Sequence, residues 1–327
     1  MRLVDLPGMP ATRSFTRAGV RLAFYEAGGA GAGAPPIVFC HGFPETAYSW
    51  RHQLAGLAAQ GFHVIALDQR GYGQSDCPPE VEAYDLANLT GDLTGLLDHL
   101  GIERAVFCGH DWGGIVVWAY PLRSPERVAG VIGLNTPYSR RAPVDPVALF
   151  EKRFGPDFYI VQFNRNRIAD AVMEADVERT LRCLYRRPQP EAQTASGGRI
   201  GMSITDQIAT FDKTDRRQQL LSDAELAVFA AAFARTGFTP GINWYRNFTR
   251  NWDHAPAGPD RVDAPALMIM AELDLALPPA AADGMEKYVP NLQKVLIPGC
   301  GHWTQQEKPE DTNRIIADWM RRVFPPR

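Results

Sequence analysis

The sequence predicts an α/β protein in which helices cover both faces of a mostly parallel sheet and a helical insertion interrupts the fold. In residues 1–137, short apolar runs alternate with helical patterns, which is typical of a parallel sheet covered on both faces. Strand patterns largely disappear from 138 to 251, where helical segments dominate. The alternation resumes from 252 to 327. We therefore expect one core in two parts, separated by a helical cap.

Composition narrows the class of protein. The 327 residues can bury a substantial core, and the net charge of -3 gives no indication of a nucleic-acid or membrane-surface partner. Five dispersed cysteines without a C-x-x-C pair argue against a disulfide framework or a zinc site and favour a reducing compartment. No apolar run resembles a signal peptide or is long enough to cross a bilayer. A soluble cytoplasmic protein is the expectation.

The first part of the core is predicted in chain order. A strand is expected over 21–27, and the Gly/Ala run 28–34 is interpreted as a turn between hairpin strands. Buried strands over 36–40 and 62–67 follow. Leucines at helical spacing from Leu86 to Leu100 then predict an amphipathic helix that ends at Gly101.

After a strand over 128–134, the cap and the second part of the core follow. Elements expected there are a cap helix over 223–234, an exposed loop over 193–199, a strand over 265–270, a helix near 279–288, a strand over 293–297, and a closing helix with Ile315 to Val323 on one face.

The stretch from Ala105 to Gly114 predicts a nucleophile elbow. A strand-like run ends in small residues, a helical pattern follows, and Gly109 and Gly113 flank Asp111 in the G-x-nucleophile-x-G pattern. A carboxylate that displaces a group at a saturated carbon leaves an ester, which water can cleave. Asp111 therefore suits attack on an epoxide or on a carbon that bears halogen. The alternative is that Asp111 only caps the helix that follows.

Two later loops supply partners for this carboxylate. Asp274 follows the strand over 265–270, and His302 lies in the loop after the last strand, so the chain order is nucleophile, acid, histidine, as in the α/β-hydrolase triad. An imidazole can activate water, and a carboxylate fixes its tautomer and stabilises its cation. Glu272 and Asp283 are alternative acids. Six other histidines compete with His302, but it alone follows the final strand.

Water attack on an ester creates an oxyanion that needs preplaced donors, and the backbone N–H groups of Phe43 and Trp112 are the expected pair. Pro44 is a candidate for a cis bond that shapes this loop. His41 and His110 border the site and are expected mainly to orient backbone. With Pro44 and Trp303, they complete the candidate pocket residues.

Four sequence blocks carry a family resemblance: His41-Gly-Phe-Pro-Glu45, Asp68-Gln-Arg-Gly-Tyr-Gly73, Gly109-His-Asp-Trp-Gly-Gly114 and Gly301-His-Trp-Thr-Gln305. With them, the chain resembles the α/β-hydrolase-fold epoxide hydrolases over nearly its whole length. The resemblance implies an eight-stranded, mostly parallel sheet with an inserted helical cap. Dehalogenases share the first three blocks, so motifs in the cap distinguish the two families better.

In the resembled family, two cap tyrosines hold the epoxide oxygen. The segment Asn243-Trp-Tyr-Arg-Asn247 is similar to the motif of the second tyrosine, which implies Tyr245, and Phe158-Tyr-Ile-Val-Gln-Phe-Asn164 implies Tyr159 as the first. Asn164 stands where glutamine is usual, which raises the question of altered cap packing. The alternative is that both tyrosines merely pack helices.

The resemblance implies hydrolysis of a small apolar epoxide to a vicinal diol through an ester on Asp111. Water is the co-substrate, and neither a metal nor an organic cofactor is needed. Two alternatives stay open: a dehalogenase with the same triad, in which the Trp112 indole holds the halide, and a non-catalytic ligand receptor. The oligomeric state is also open, with a homodimer as one option.

Overall fold

The computed structural model describes residues 3–29, 33–188, 203–258 and 260–325. Within these ranges, eight strands form one sheet in the order β1-β2-β4-β3-β5-β6-β7-β8. β2 pairs antiparallel with β1 and β4, and every other pairing is parallel, which confirms the predicted fold class. The strands are β1 Thr12–Arg17, β2 Val20–Ala27, β3 Ile37–Cys40, β4 Val64–Leu67, β5 Ala105–His110, β6 Val128–Leu134, β7 Ala266–Ala271 and β8 Leu292–Ile297.

The predicted hairpin across 28–34 is wrong. β2 and β3 are consecutive in the chain, but β4 lies between them in the sheet, with Phe24 opposite Leu67. The hairpin is on the other side of β2, where Ala18 and Gly19 adopt positive φ angles of 48° and 79° in a tight turn to β1. The sequence prediction did not assign β1. Residues 30–32 of the proposed turn lie outside the described residues.

Helices cover both faces of the sheet. On one face, α2 (Leu86–Leu100) and α3 (Trp112–Ala119) pack against Val38, Cys40 and their neighbours. On the other, α1 (Arg51–Ala58) and the last long helix pack against Ile37 and Phe39. Side chains alternate between the two faces because successive residues of a strand point in opposite directions. α2 ends at Gly101, as predicted, and this glycine adopts the left-handed conformation. The helix begins after Asp85, whose side chain accepts the Asn88 N–H.

A helical segment separates β6 from β7. Its described helices are α4 Pro146–Phe154, α5 Tyr159–Arg165, α6 Ile168–Ala175, α7 Val177–Leu184, α8 Ile204–Thr210, α9 Asp223–Thr236, α10 Thr239–Arg246 and α11 Phe248–Asp253. The loop predicted over 193–199 lies outside the described residues. Hydrogen bonds tie this cap to the core. The Trp244 indole donates to the Arg70 carbonyl in a buried contact, and Arg51 pairs with the partly exposed Glu225.

The second part of the core departs from the prediction in one element. In place of a helix near 279–288 there are two short 3-10 turns, Pro279–Ala282 and Met285–Lys287. Asp283 is extended and Gly284 has a φ of 78°, which interrupts the helical backbone. The chain ends in α12 (Thr304–Glu307) and α13 (Pro309–Val323). None of the helices in the described ranges has the length and apolarity needed to cross a membrane.

Candidate active site

Asp111 occupies a strained turn between β5 and α3. Its φ of 50° and ψ of -119° lie where non-glycine residues are uncommon. A Cβ on Gly109 would overlap the Gly113 carbonyl, and one on Gly113 would overlap the Cys40 carbonyl, so the turn requires small flanking residues. In this fully described part of the chain, the Asp111 side chain makes no capping hydrogen bond to α3. The geometry therefore does not support the helix-cap alternative.

Two backbone amides lie beside the Asp111 carboxylate. The Phe43 N–H donates to Oδ1 at 2.9 Å, and the Trp112 N–H lies close enough to help lower the pKa of the carboxylate. The bond between Phe43 and Pro44 is cis. A Cβ on Gly42 would overlap the Asp111 side chain, so glycine allows this loop to approach. The Phe43 N–H therefore bonds the oxygen that becomes a carbonyl oxygen once Oδ2 is esterified.

His302 lies beside the nucleophile and is paired with Asp274. Its Nδ1 is 2.9 Å from Asp274 Oδ2, and its Nε2 is 3.9 Å from Asp111 Oδ2. The side chains of His302 and Asp111 keep 20% and 17% of their accessible surface, whereas that of Asp274 keeps none. The first two can therefore meet a ligand or water, while Asp274 is sealed behind the imidazole.

Asp274 is fully supplied with donors. Its Oδ1 accepts the N–H groups of Ala276 and Leu277 at 2.8 and 3.0 Å, and its Oδ2 accepts the Asn135 amide at 2.6 Å. Burial alone would raise the pKa of Asp274, but His302 and these donors hold it well below its ordinary value. The alternative acids Glu272 and Asp283 are exposed.

The charges of the site act on one another. Burial opposes protonation of His302, but the Asp274 and Asp111 carboxylates outweigh it and raise the His302 pKa to about 9. Burial also raises the pKa of Asp111, while His302 and the backbone donors oppose that rise. At neutral pH, the site therefore holds an imidazolium between two carboxylates.

The two cap tyrosines lie together above Asp111. Tyr159 begins α5 and Tyr245 lies in α10, and their rings meet edge to face with centroids 5.8 Å apart. The Tyr245 ring contacts Trp112 at 5.1 Å and Phe43 at 5.4 Å. Burial, and next the Asp111 charge, raise the pKa of both phenols, so both stay protonated at neutral pH. The two hydroxyls are thus proton donors in the field of the nucleophile.

Asn164 bonds within its own helix. Its amide donates to the Ile160 carbonyl at 2.8 Å. One residue earlier, the Phe163 ring contacts Tyr159 at 5.6 Å and Tyr245 at 5.0 Å, and it fixes the two phenols against each other.

The other candidate pocket residues support backbone. His41 has no accessible surface; its Nδ1 donates to the Gly42 carbonyl and its Nε2 accepts the Gln69 N–H, and burial lowers its pKa to about 4. His110, equally buried, donates from Nε2 to the His302 carbonyl at 2.7 Å. The Pro44 carbonyl accepts the Tyr185 hydroxyl, and the Trp303 indole donates to the Leu184 carbonyl. These residues hold the catalytic loops and join them to the cap.

Three buried residues of the site had no role in the sequence analysis: Asn135, Glu45 and Glu307. The Asn135 amide joins Asp274 to the His302 carbonyl. Glu45 accepts the Gly42 N–H and faces His110 Nδ1 at 2.8 Å. Position at the end of β6 singles out Asn135, but nothing local in the sequence shows the partners of the two glutamates. Among the described residues, no cluster of His, Cys, Asp or Glu is arranged to hold a metal ion.

The fold and this site define an α/β hydrolase whose elbow carries a carboxylate where the serine hydrolases of this fold carry serine. Residues 35–309 match the alpha/beta hydrolase fold family. Epoxide hydrolase A of Mycobacterium tuberculosis is 42% identical over 319 residues, 96% of this chain and 98% of that protein. The chain belongs to the epoxide hydrolase family, as its motifs indicate.

Other comparisons agree with this family. Bifunctional epoxide hydrolase 2 of Sus scrofa is 36% identical over 98% of this chain, which spans only 58% of that longer protein. The crystal structure of epoxide hydrolase A from Mycobacterium thermoresistibile has a TM-score of 0.85 and 40% identity, covering 95% of this chain and 98% of that one. Epoxide hydrolase VrEH1 from Vigna radiata has a TM-score of 0.84 and 28% identity, with 98% and 100% covered.

Proposed function

We propose that this protein hydrolyses an epoxide to a vicinal diol through an ester on Asp111. The observation that carries the proposal is the pair of cap phenols, Tyr159 and Tyr245, whose rings meet at 5.8 Å, with Tyr245 packed 5.4 Å from the ring of Phe43, whose N–H holds the carboxylate nucleophile. An opening epoxide needs a nucleophile at carbon and an acid at oxygen at the same moment. This arrangement supplies both.

In the first step, Asp111 Oδ2 attacks a ring carbon. Oδ1 is occupied by the Phe43 N–H, which leaves Oδ2 as the oxygen that forms the new bond. The carbon–oxygen bond of the ring breaks, and the negative charge that develops on the epoxide oxygen receives a proton from the phenol pair. The distance of 3.9 Å from His302 Nε2 to Oδ2 is too long for a hydrogen bond, so the imidazole leaves this oxygen free to attack.

In the second step, His302 activates water against the ester. Esterification removes the Asp111 charge that helps to keep His302 protonated, so the imidazolium can return a proton to the phenolate left by ring opening and then serve as a base. The water oxygen bonds to the ester carbon while its proton passes to Nε2. The resulting oxyanion is held by the N–H groups of Phe43 and Trp112. Collapse breaks the bond between the ester carbon and the diol oxygen, and the leaving alkoxide takes a proton from the imidazolium, which Asp274 stabilises. The Asp111 carboxyl then gives the remaining proton of the water to His302, which restores the carboxylate and the imidazolium.

Dehalogenation is the competing enzymatic hypothesis, because it uses the same triad. It requires donors that are free to hold a halide. The Trp112 ring packs edge-on against the Tyr245 ring with centroids 5.1 Å apart, so the indole lies against a phenol of the cap. This contact favours epoxide opening.

A trapping experiment tests the proposal. The His302→Gln variant is incubated with styrene oxide, and intact mass followed by peptide mapping locates the adduct. We expect one epoxide mass on Asp111 in this variant, diol production by the wild type, and no adduct in the His302→Gln/Asp111→Asn double variant. Stoichiometric binding without diol would support the receptor hypothesis, and an adduct elsewhere would refute Asp111 as nucleophile.

The substrate class and setting are part of the same proposal. Aromatic rings surround the phenols and Trp112, with Phe248 4.9 Å from the Trp112 ring, which supports a small apolar epoxide. Five free thiols support a reducing, cytoplasmic setting. A homodimer stays a prediction, which sedimentation of the purified protein can test.

A further inference from the structure

A buried carboxylate brackets the backbone of His302. Glu307, at the end of the one-turn helix α12, is 8% exposed. Its Oε2 accepts the Gly301 N–H at 2.9 Å, and its Oε1 accepts the Trp303 N–H at 3.1 Å. The two oxygens of one side chain therefore fix the backbone on either side of the histidine.

The peptide group that follows His302 is held at both of its polar ends. Its carbonyl accepts His110 Nε2 at 2.7 Å and the Asn135 amide at 3.1 Å, while its N–H donates to Glu307. The residue before the histidine is also confined, because a Cβ on Gly301 would lie 2.9 Å from Glu307 Oε1 and 2.8 Å from Pro188. These contacts fix the position of the His302 backbone, whereas the bond to Asp274 fixes the orientation of the imidazole ring.

We propose that Glu307 is a positioning residue for the water-activating imidazole, required for hydrolysis of the Asp111 ester and dispensable for its formation. The inference rests on the proposed function. Ester formation uses Asp111, the Phe43 N–H and the cap phenols, none of which Glu307 contacts through the bonds above. Hydrolysis needs Nε2 aimed at a water beside the ester carbon, and a displacement of about 1 Å in such a group can cost roughly a hundredfold in rate.

The two half-reactions give this proposal a kinetic signature. In a two-step scheme, kcat/KM reports the steps up to ester formation, so slower hydrolysis lowers kcat and KM by the same factor. A role in stability alone has a different signature. It reduces the fraction of active enzyme, which lowers kcat and leaves KM unchanged.

The test compares Glu307→Gln with wild type, using styrene oxide in single-turnover and steady-state experiments. The amide keeps the shape of the side chain but turns one acceptor into a donor that faces an N–H. We expect the ester to be lost roughly ten- to a hundredfold more slowly than in wild type, as measured by intact mass of quenched samples. The value of kcat/KM should stay within about twofold of wild type. The matched control is Glu310→Gln, an exposed acid three residues along the chain, which should behave as wild type.

A Glu307→Gln variant that hydrolyses its ester at the wild-type rate, or that loses kcat at constant KM, overturns the proposal. If this variant does not fold, Glu307→Asp replaces it, because aspartate keeps the charge but has a shorter side chain. We expect the same slower hydrolysis with unchanged kcat/KM, and the same two outcomes would overturn the proposal. An absence of turnover and of ester in the wild type itself refutes the proposed function instead.

Discussion

His302 Nε2 and Asp111 Oδ2 face each other across 3.9 Å without a hydrogen bond. In a serine hydrolase, the base must touch the nucleophile to remove its proton. Asp111 is already an anion and needs no such help. The separation therefore suits a histidine that acts later, on a water.

Removal of the cap phenols should stop the first step. The Tyr159→Phe/Tyr245→Phe variant keeps the ring contacts but loses both acids, and we expect ester formation to fall by roughly 10²- to 10⁴-fold, the range of general acid catalysis. Stopped-flow tryptophan fluorescence can follow it, because Trp112 adjoins the nucleophile. Tyr288→Phe is the control, since this tyrosine bonds Arg140 at the surface. Release of halide from an alkyl halide that persists in the double variant would favour the dehalogenase.

Neutralising Asp111 should lower the pKa of His302 from its value of about 9, because one of the two carboxylates that favour the imidazolium is lost. Asp111→Asn therefore also imitates the ester state. NMR titration of the His302 ring gives the measurement, and Asp263→Asn, at an exposed acid, is the control. An unchanged midpoint in Asp111→Asn would contradict the electrostatic coupling.

The same pKa makes stability depend on pH. The folded-state pKa of His302 lies above its ordinary value of 6.5, so its contribution is complete below pH 6.5 and is lost as the pH rises through about 9. We expect the free energy of unfolding of the wild type to fall across this window. In His302→Gln the fall should be smaller, as urea unfolding at pH 6.5 and 9.5 can show.

Asn135 has a backbone role and a side-chain role, and two substitutions can separate them. It has a positive φ of 60°, and its amide serves Asp274 and the His302 carbonyl. Asn135→Gly leaves the positive φ unstrained but removes the amide. The free energy of unfolding should fall by about 1–3 kcal/mol, because buried acceptors lose their donor. Asn135→Ala should cost a further ~1 kcal/mol from backbone strain. Equal values for the two variants would mean that the positive φ is not costly here.

The elbow glycines should tolerate no side chain. A Cβ at Gly113 would overlap the Cys40 carbonyl, so Gly113→Ala should destabilise the protein by more than about 3 kcal/mol or prevent folding. Gly29→Ala, where an added Cβ meets no atom within 4 Å, is the matched control. Thermal unfolding of the soluble fraction compares the two.

The sequence predicted the helix α2 and the elbow at Asp111 correctly, because each depends on residues that are close together in the chain. The leucine spacing of α2 and its stop at Gly101 follow from helical periodicity and glycine conformation. Asp111 stood out because its glycine neighbours have a steric meaning that the sequence displays. The family resemblance, and not periodicity, singled out Tyr159 and Tyr245, since two tyrosines in helices usually only pack.

The sequence by itself determined the fold class, the elbow and the residue types at the ends of strands, because carboxyl ends of parallel strands converge on one edge of a sheet. Only the tertiary structure decided that β4 lies between β2 and β3, that Asn135 bonds Asp274 across 139 positions, and that Glu307 brackets His302. Register and partner choice depend on which distant surfaces pack together. That information is spread over the whole chain, and no local pattern displays it.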